Sequence, residues 1–345
     1  MPNKLVIVSN ESINEHNHTY YCDNIDSKSI PEGLSKNLEV ILLGRKSKII
    51  RSNKINLKNI QTASNIFTYI INVFRSFKHK DVKYLLISIN PYSFITYIFL
   101  LIFNKKTFVY LRSDGYAEWK YILGKFGYYL FHIMFIIISS KAKLISCTPG
   151  ILKGKPGKIV SPSQLSKKWF LSFQKPNLNK IKLLYVGRIK VEKGIFSLLE
   201  IIKKIKTDVE LSIVGVGKKN KEKINQENVK IFDFYNENDA IIKIYDEHNI
   251  FILPSFTEGH PQVLDESLSR HRPVIIFDEI SHIVGKRKGI FISKRDAISL
   301  SNTINYIIKN YYSIQEEIMQ NTLPTKENFI NEILNIINEK KIIKN

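Results

Sequence analysis

The stretch IFILPSFTEGHPQVLDESLSRHRPVIIF (Ile250–Phe277) decides the fold class. It opens on a continuous apolar run, passes through a polar loop containing Gly259 and Pro261, and ends on a second apolar run beginning at Pro273. The segment between, QVLDESLSR, has helical spacing, and Pro261 is predicted at the first helical position, where a missing N–H costs nothing. Two strands joined by a helix run parallel, because a hairpin cannot connect them. Within this unit Glu258 sits at the mouth of the helix and Glu266 lies more than one turn further on. A chain with a formal charge of +21 thus places two carboxylates eight residues apart at a strand-to-helix junction.

The same rhythm extends in both directions. Downstream of residue 180, strands are predicted at 181–187, 209–215, 229–234 and 289–293, with helices at 193–206 and 297–312. Upstream, strands are predicted at 4–9, 38–44, 82–89, 106–113 and 142–148, with a helix at 62–77. These strands are nearly continuous in apolar character, as parallel strands covered on both faces are. The stretch from 149 to about 176 is rich in Gly, Pro and Ser and reads as a linker. The expectation is an α/β protein of two Rossmann-like domains, 1–175 and 176–345, with ligands at the carboxyl ends of the strands.

Composition narrows the class. The chain has 345 residues, 44% hydrophobic and 24% charged, which fits folded globular domains. Cys22 and Cys147 stand far apart, with no CxxC or His-rich cluster. That argues against a disulfide scaffold or structural zinc site and fits a reducing cytoplasm. The N-terminal apolar run is short and reads as a first strand, not a signal peptide. The apolar runs at 94–103 and 128–139 fall short of the roughly 20 residues that span a bilayer, and read as buried helices or as segments lying on a membrane surface. Residues 1–170 hold 25 Lys/Arg against 9 Asp/Glu, a net of +16, while residues 171–345 carry +5. The basic half attracts polyanions: nucleic acid, anionic lipid or a phosphorylated substrate.

Two further junctions carry chemistry. In YVGRIKVEKGIFSLLE (185–200) a strand ends at Gly187, a basic loop follows and a helix begins near Gly194. A helix N-terminus beside Arg188 and Lys193 is suited to a diphosphate; an ordinary turn with solvated basic residues gives the same pattern. In VGVGKKN (214–220), Gly215 and Gly217 leave room for a ligand to approach the backbone. In the acidic segment, the amides of Gly259 and His260 point to the helix mouth. Glu258 reads equally as a cap and Glu266 as part of a solvated helix face.

Taken together, these segments resemble retaining glycosyltransferases of the GT4 kind (group 1), over roughly 181–312 in order and spacing. Glu258 and Glu266 match the E-x7-E acids, YVGRIKVEKG the donor-phosphate loop, IVGVG the GxG turn, and RPVIIFD the strand after the acidic helix. The resemblance implies the GT-B fold, two Rossmann-like domains facing a cleft, with a nucleotide-sugar such as a UDP- or GDP-sugar on the C-terminal domain. It implies that Arg188 and Lys193 bind the diphosphate and stabilise the departing charge, that Glu258 faces the transferred sugar, and that Glu266 binds the ribose. It implies no cofactor or metal, and no DxD triplet is present.

The N-terminal half departs from the family pattern. The loop after the first strand, SNESINEHNHTYYCDN, has no glycine, and the strand at 106–113 ends in LRSDG where many members carry a His-Asp pair. Arg112 and Asp114 are therefore acceptor-side candidates without an assigned role, and SDG reads equally as a plain turn. The +16 half with its apolar helices suits a lipid-linked saccharide acceptor on an anionic membrane. The implied setting is the inner face of the cytoplasmic membrane in bacterial surface polysaccharide assembly (O-antigen, capsule or lipopolysaccharide). Rival readings are an epimerase- or phosphorylase-like enzyme of the same fold, and a basic nucleic-acid-binding protein, for which no known module is present.

Overall fold

The computed structural model describes residues 4–79, 81–215, 224, 226–232 and 238–339. The chain divides into two compact units, Met1–Pro162 with Lys326–Asn345, and Ser163–Thr325.

The first unit is built on a sheet whose parallel strands stand in the spatial order 59–63, 39–47, 4–16, 83–87, 107–111, 143–146 and 157–159. In chain order this is 3-2-1-4-5-6-7, a doubly wound sheet with its switch point between Lys4–His16 and Lys83–Ile87. Alternate residues feed two separate cores. Val6, Val8, Tyr84, Leu86, Val109 and Leu111 face one layer, and Leu5, Ile7, Leu85, Ile87, Phe108 and Tyr110 the other. Both sets are buried, which is why the strands read as unbroken apolar runs instead of alternating ones.

Three features of this unit differ from the sequence expectation. The polar segment after residue 9 continues the first strand through a register shift between Val8 and Ser12. It then turns at Asn17 and His18, both at positive φ, into an antiparallel strand Thr19–Cys22. Asn tolerates that conformation, and two-residue hairpin turns of this kind twist with the strands, so no glycine was needed. The helix expected at 62–77 starts only at Ile66, on an Asn65 capping box, because residues 59–63 form a parallel strand beside Glu39–Ser47. Finally, the expected division at 175/176 moves to 162/163, and the last helix, Lys326–Asn338, belongs to the first unit. It buries Phe329, Ile330, Ile333, Ile336 and Ile337 in that unit's second core. Gly33 lets it approach the helix Ile25–Leu34, since a Cβ there would stand 2.7 Å from Ile330.

Among the described residues, the second unit has six parallel strands in the order Val229–Phe232, Val209–Val214, Ile181–Val186, Ile250–Leu253, Val274–Phe277 and Ile290–Ser293. This is 3-2-1-4-5-6, the winding of dinucleotide-binding sheets. The predicted linker residues near 169–174 are part of this unit because two buried arginines hold their carbonyls. Arg270 donates to the carbonyls of Trp169, Leu171 and Ser172, and Arg272 to that of Gln174. Asp246 neutralises Arg270 at 2.7 Å. The predicted helix at 297–312 breaks at Asn310 into Ala297–Lys309 and Tyr311–Ile318.

Both cysteines are free and buried, and burial raises the Cys22 thiol to about 12 and Cys147 to about 11. They are therefore unreactive small apolar residues.

Candidate active site

In the second unit the chain winds one way from Ile181–Val186 and the other way from Ile250–Leu253. These two strands are neighbours, so the switch point of the winding lies between them, and the loops at their carboxyl ends stand where such sheets bind ligands. Lys193 follows the first strand and Glu258 the second.

Two glycines set how closely the loops approach. Gly194 has φ 65, and a Cβ there would lie 1.9 Å from the Pro254 carbonyl oxygen. Gly215 has φ 108, and its Cβ would lie 2.6 Å from the Gly187 oxygen. No side chain fits either place. With the loops in contact, the Phe256 amide donates to the Glu192 carbonyl at 2.9 Å. The short helix Ile195–Ile202 then starts on Gly194, without a side-chain cap on its first amides.

The geometry brings Lys193 and Glu258 together: Lys193 Nζ stands 2.6 Å from Glu258 Oε1, and both side chains are largely buried. Ser255 Oγ donates to the same oxygen at 2.7 Å. His282 Nε2 donates to the Glu258 carbonyl at 3.1 Å. Gly259 is exposed and His260 partly so, and His260 Nε2 stands 3.9 Å from Asp265. Pro261 proves to be the cap residue (ψ 111), and the helix is Gln262–Ser269, one residue later than predicted. Glu258 makes no capping bond to that helix; its carboxylate is held by Ser255 and Lys193.

Glu266 lies one face further along. Tyr245 Oη donates to its Oε2 at 2.8 Å. Burial raises the Glu266 carboxyl to about 7, the adjacent Asp265 pushes the same way, and the Tyr245 hydrogen bond opposes both. Asp265 is itself held by Arg287 at 2.8 Å. Glu266 is thus not a solvated helix-face residue but a half-buried acid that accepts from Tyr245.

Arg188 is exposed at the rim, and its carbonyl accepts from Tyr185 Oη at 2.9 Å. Gly187 continues the strand ladder to Val214. Gly217 lies outside the described residues. In the first unit, Asp114 is a helix cap: its Oδ1 accepts from the amides of Tyr116 and Ala117, and its Oδ2 pairs with Lys153 at 2.6 Å. Arg112 stands 3.6 Å from Asp26. Among the described residues there is no group of three or more His, Cys, Asp and Glu side chains able to hold one metal ion.

Sequence reasoning missed Ser255, Tyr245, His282 and Arg295. Ser255 was within reach, three residues from Glu258. The others are distant in sequence. Arg295 is sandwiched between the rings of Phe256 (4.2 Å) and Phe277 (4.4 Å) and donates to the Pro254 carbonyl at 3.0 Å. It is fixed by Glu279 at 2.6 Å, so it sets the path of the loop that carries Glu258.

Residues 180–310 match the family described as glycosyl transferases group 1. The putative teichuronic acid biosynthesis glycosyltransferase TuaC of Bacillus subtilis is 32% identical over 123 residues, 35% of this chain and 31% of that protein. The capsular polysaccharide biosynthesis glycosyltransferase CapM of Staphylococcus aureus is 28% identical over 155 residues, 42% of this chain and 40% of that protein. These alignments span less than half the length of either relative. The structure of Anabaena Alr3699/HepE in complex with UDP-glucose superposes over 97% of this chain and 98% of that one, with a TM-score of 0.67 at 11% identity. That likeness extends over both units and is one of fold, GT-B. The second unit thus has the winding of a dinucleotide-binding sheet, and its residues 180–310 are similar to the glycosyl transferases group 1 family.

Proposed function

We propose that the protein is a retaining glycosyltransferase that moves a sugar from a nucleotide-sugar donor to a lipid-linked saccharide in bacterial surface polysaccharide assembly. It works at the inner face of the cytoplasmic membrane, drawn there by the basic N-terminal half. The observation that carries the reading is the Lys193–Glu258 pair at the switch point, on a domain whose similarities point to glycosyl transfer. The UDP-glucose bound to the HepE protein supports a nucleotide-sugar as donor.

In this reading the donor diphosphate lies at the start of the helix Ile195–Ile202, against its free amides and the cations of Arg188 and Lys193. Lys193 exchanges part of its bond to Glu258 for a phosphate oxygen. Charge develops on the leaving diphosphate as the glycosidic bond breaks, and a fixed cation in a largely buried site stabilises that charge more than it stabilises the ground state. Glu258, kept in place by Ser255 and His282, then presents its carboxylate to the sugar. Glu266 accepts from the ribose hydroxyls, with Gly187, Gly215, Gly259 and His260 lining the approach. The cations and the helix terminus make a metal unnecessary. Arg112 remains an acceptor-side candidate; Asp114, already capping a helix, has no catalytic role.

The test is thermal unfolding of the protein with UDP, GDP, CMP, ADP and dTDP, repeated with Glu266→Ala. A ligand at 100 times its Kd stabilises by about 2.7 kcal/mol, or about 2–4 °C per kcal/mol at this size. One nucleotide that shifts the wild type and not the variant supports the reading and names the donor class. No shift with any nucleotide overturns it.

A further inference from the structure

By length and composition, Gly115–Ser139 is an apolar helix long enough to cross a membrane. Its internal contacts say otherwise. Tyr116 Oη lies 3.0 Å from His132 Nδ1, whereas 16 residues of straight helix separate two positions by about 24 Å. The Tyr116 ring packs on Tyr128 and Phe131, and Trp119 on Phe131. The chain reverses at Leu123 and Gly124, where Gly124 has φ 62 and ψ −147, a conformation open to glycine. Gly115 and Gly127 permit the two arms to touch: a Cβ on Gly127 would stand 2.1 Å from the Trp119 carbonyl oxygen, and one on Gly115 2.1 Å from the Phe131 ring. The element is a helical hairpin. Its longer arm, 125–139, is about 22 Å long, short of the roughly 30 Å hydrocarbon core.

The base of the hairpin is anchored by Phe131, Met134, Phe135 and Ile138 in the core of the first unit. The tip is bare. Tyr121 is 79% exposed and Phe126 70%, and Ile122, Leu123 and Tyr129 are exposed beside them. Lys120 and Lys125 flank the turn, both exposed, and Glu118 is the one acidic residue between 115 and 139. A cluster of exposed apolar side chains on one projecting turn marks an interaction surface. Its chemistry selects the occupant. Tyrosines with an apolar body and polar tip suit the level of lipid headgroups. Lysines whose stems lie along apolar surface while their ammonium groups meet anions suit phosphate headgroups.

We propose that the tip of this hairpin, Lys120–Tyr129, inserts shallowly into an anionic lipid leaflet. This deepens the membrane location proposed above. The charge of the half-chain provides long-range attraction, and the tip provides the apolar contact that survives salt. The geometry of the hairpin stands independently of the transferase reading.

The test is co-sedimentation of the full chain with phosphatidylcholine vesicles, with and without phosphatidylglycerol, at low and high salt. The wild type is expected to bind the anionic vesicles and to keep part of that binding at high salt, with the Trp119 emission shifting to shorter wavelength. The triple variant Ile122→Ser, Phe126→Ser, Tyr129→Ser is expected to bind at least tenfold more weakly, with no emission shift and an unchanged melting temperature, because the three side chains are exposed. Lys120→Glu with Lys125→Glu weakens binding severalfold. The proposal is overturned if the wild type ignores anionic vesicles or if the triple variant binds as the wild type does. A wild type that self-associates where the triple variant is monomeric also overturns it, since the tip then docks on a second copy. The nucleotide-induced thermal shift, read on the same samples, reports on the transferase reading separately.

Discussion

The two sheets are wound in one sense, yet the carboxylates that follow their strands are held differently. Asp114, after the strand Thr107–Leu111, accepts from two backbone amides of the helix it starts and from Lys153. Glu258, after the strand Ile250–Leu253, caps nothing; it accepts from Ser255 and Lys193. The difference teaches how to tell a cap from a site. Backbone donors cannot leave without fraying the helix, whereas a lysine side chain can turn to a ligand at little cost. The first strands differ too. Ile181–Val186 stops at the switch point, while Lys4–His16 runs on through a bulge into a hairpin.

Several substitutions would break or sharpen this contrast. The largest effect is expected from Lys193→Ala. Removing a preorganised charge from the proposed leaving-group site is expected to lower turnover of the matching nucleotide-sugar by about 10²–10³, measured as nucleotide release, while the melting temperature changes little. A loss of folding in place of activity would make Lys193 structural, like Asp114.

The next effect is one of pH. The raised Glu266 carboxyl is protonated in the free protein below about 7, and ribose hydroxyls donate best to its ionised form. Nucleotide affinity is therefore expected to rise with pH, up to about tenfold per unit below 7, and to level off above it. The stability of the free protein moves the opposite way. An acid whose folded pKa is raised stabilises most below its unfolded value, and that contribution is lost as pH rises from about 4.5 to 7. Calorimetric titration of wild type against Glu266→Gln checks both, and a variant with the same pH profile as the wild type removes Glu266 from the donor site.

Gly194→Ala comes third. It forces a Cβ against the Pro254 carbonyl at positive φ, so a loss of about 1–3 kcal/mol in denaturant unfolding is expected. Nucleotide binding should weaken with it, since the same contact sets the spacing of Lys193 and Glu258. The smallest effect is that of Asp114→Ala, about 1 kcal/mol of stability from the lost cap. The nucleotide-induced thermal shift should be unchanged; a lost shift would end the distinction between the two carboxylates.

The sequence by itself determined the α/β class, most strands, and the pairing of a basic loop with an acidic helix, because these follow from local periodicity and from residues close to each other in the chain. The apolar runs of Ile250–Leu253 and Val274–Phe277 could only be covered strands. Only the tertiary structure decided where the units divide, since the side chains that hold residues 169–174 come from Arg270 and Arg272, about a hundred positions away. The same holds for the last helix, whose apolar face is complementary to a core formed by the start of the chain. It decided that side chains hold Glu258 while Asp114 caps a helix, because both are acids after a strand and only their donors differ. Tyr245, His282 and Arg295 gave no signal in the sequence for the same reason: a hydrogen bond or ring stack across a parallel sheet joins residues whose separation in the chain obeys no local period. At Gly124 the chain of 115–139 folds back into a hairpin, of which the apolar run at 128–139 gave no sign, and the contact between Tyr116 and His132 exists only once it has folded back.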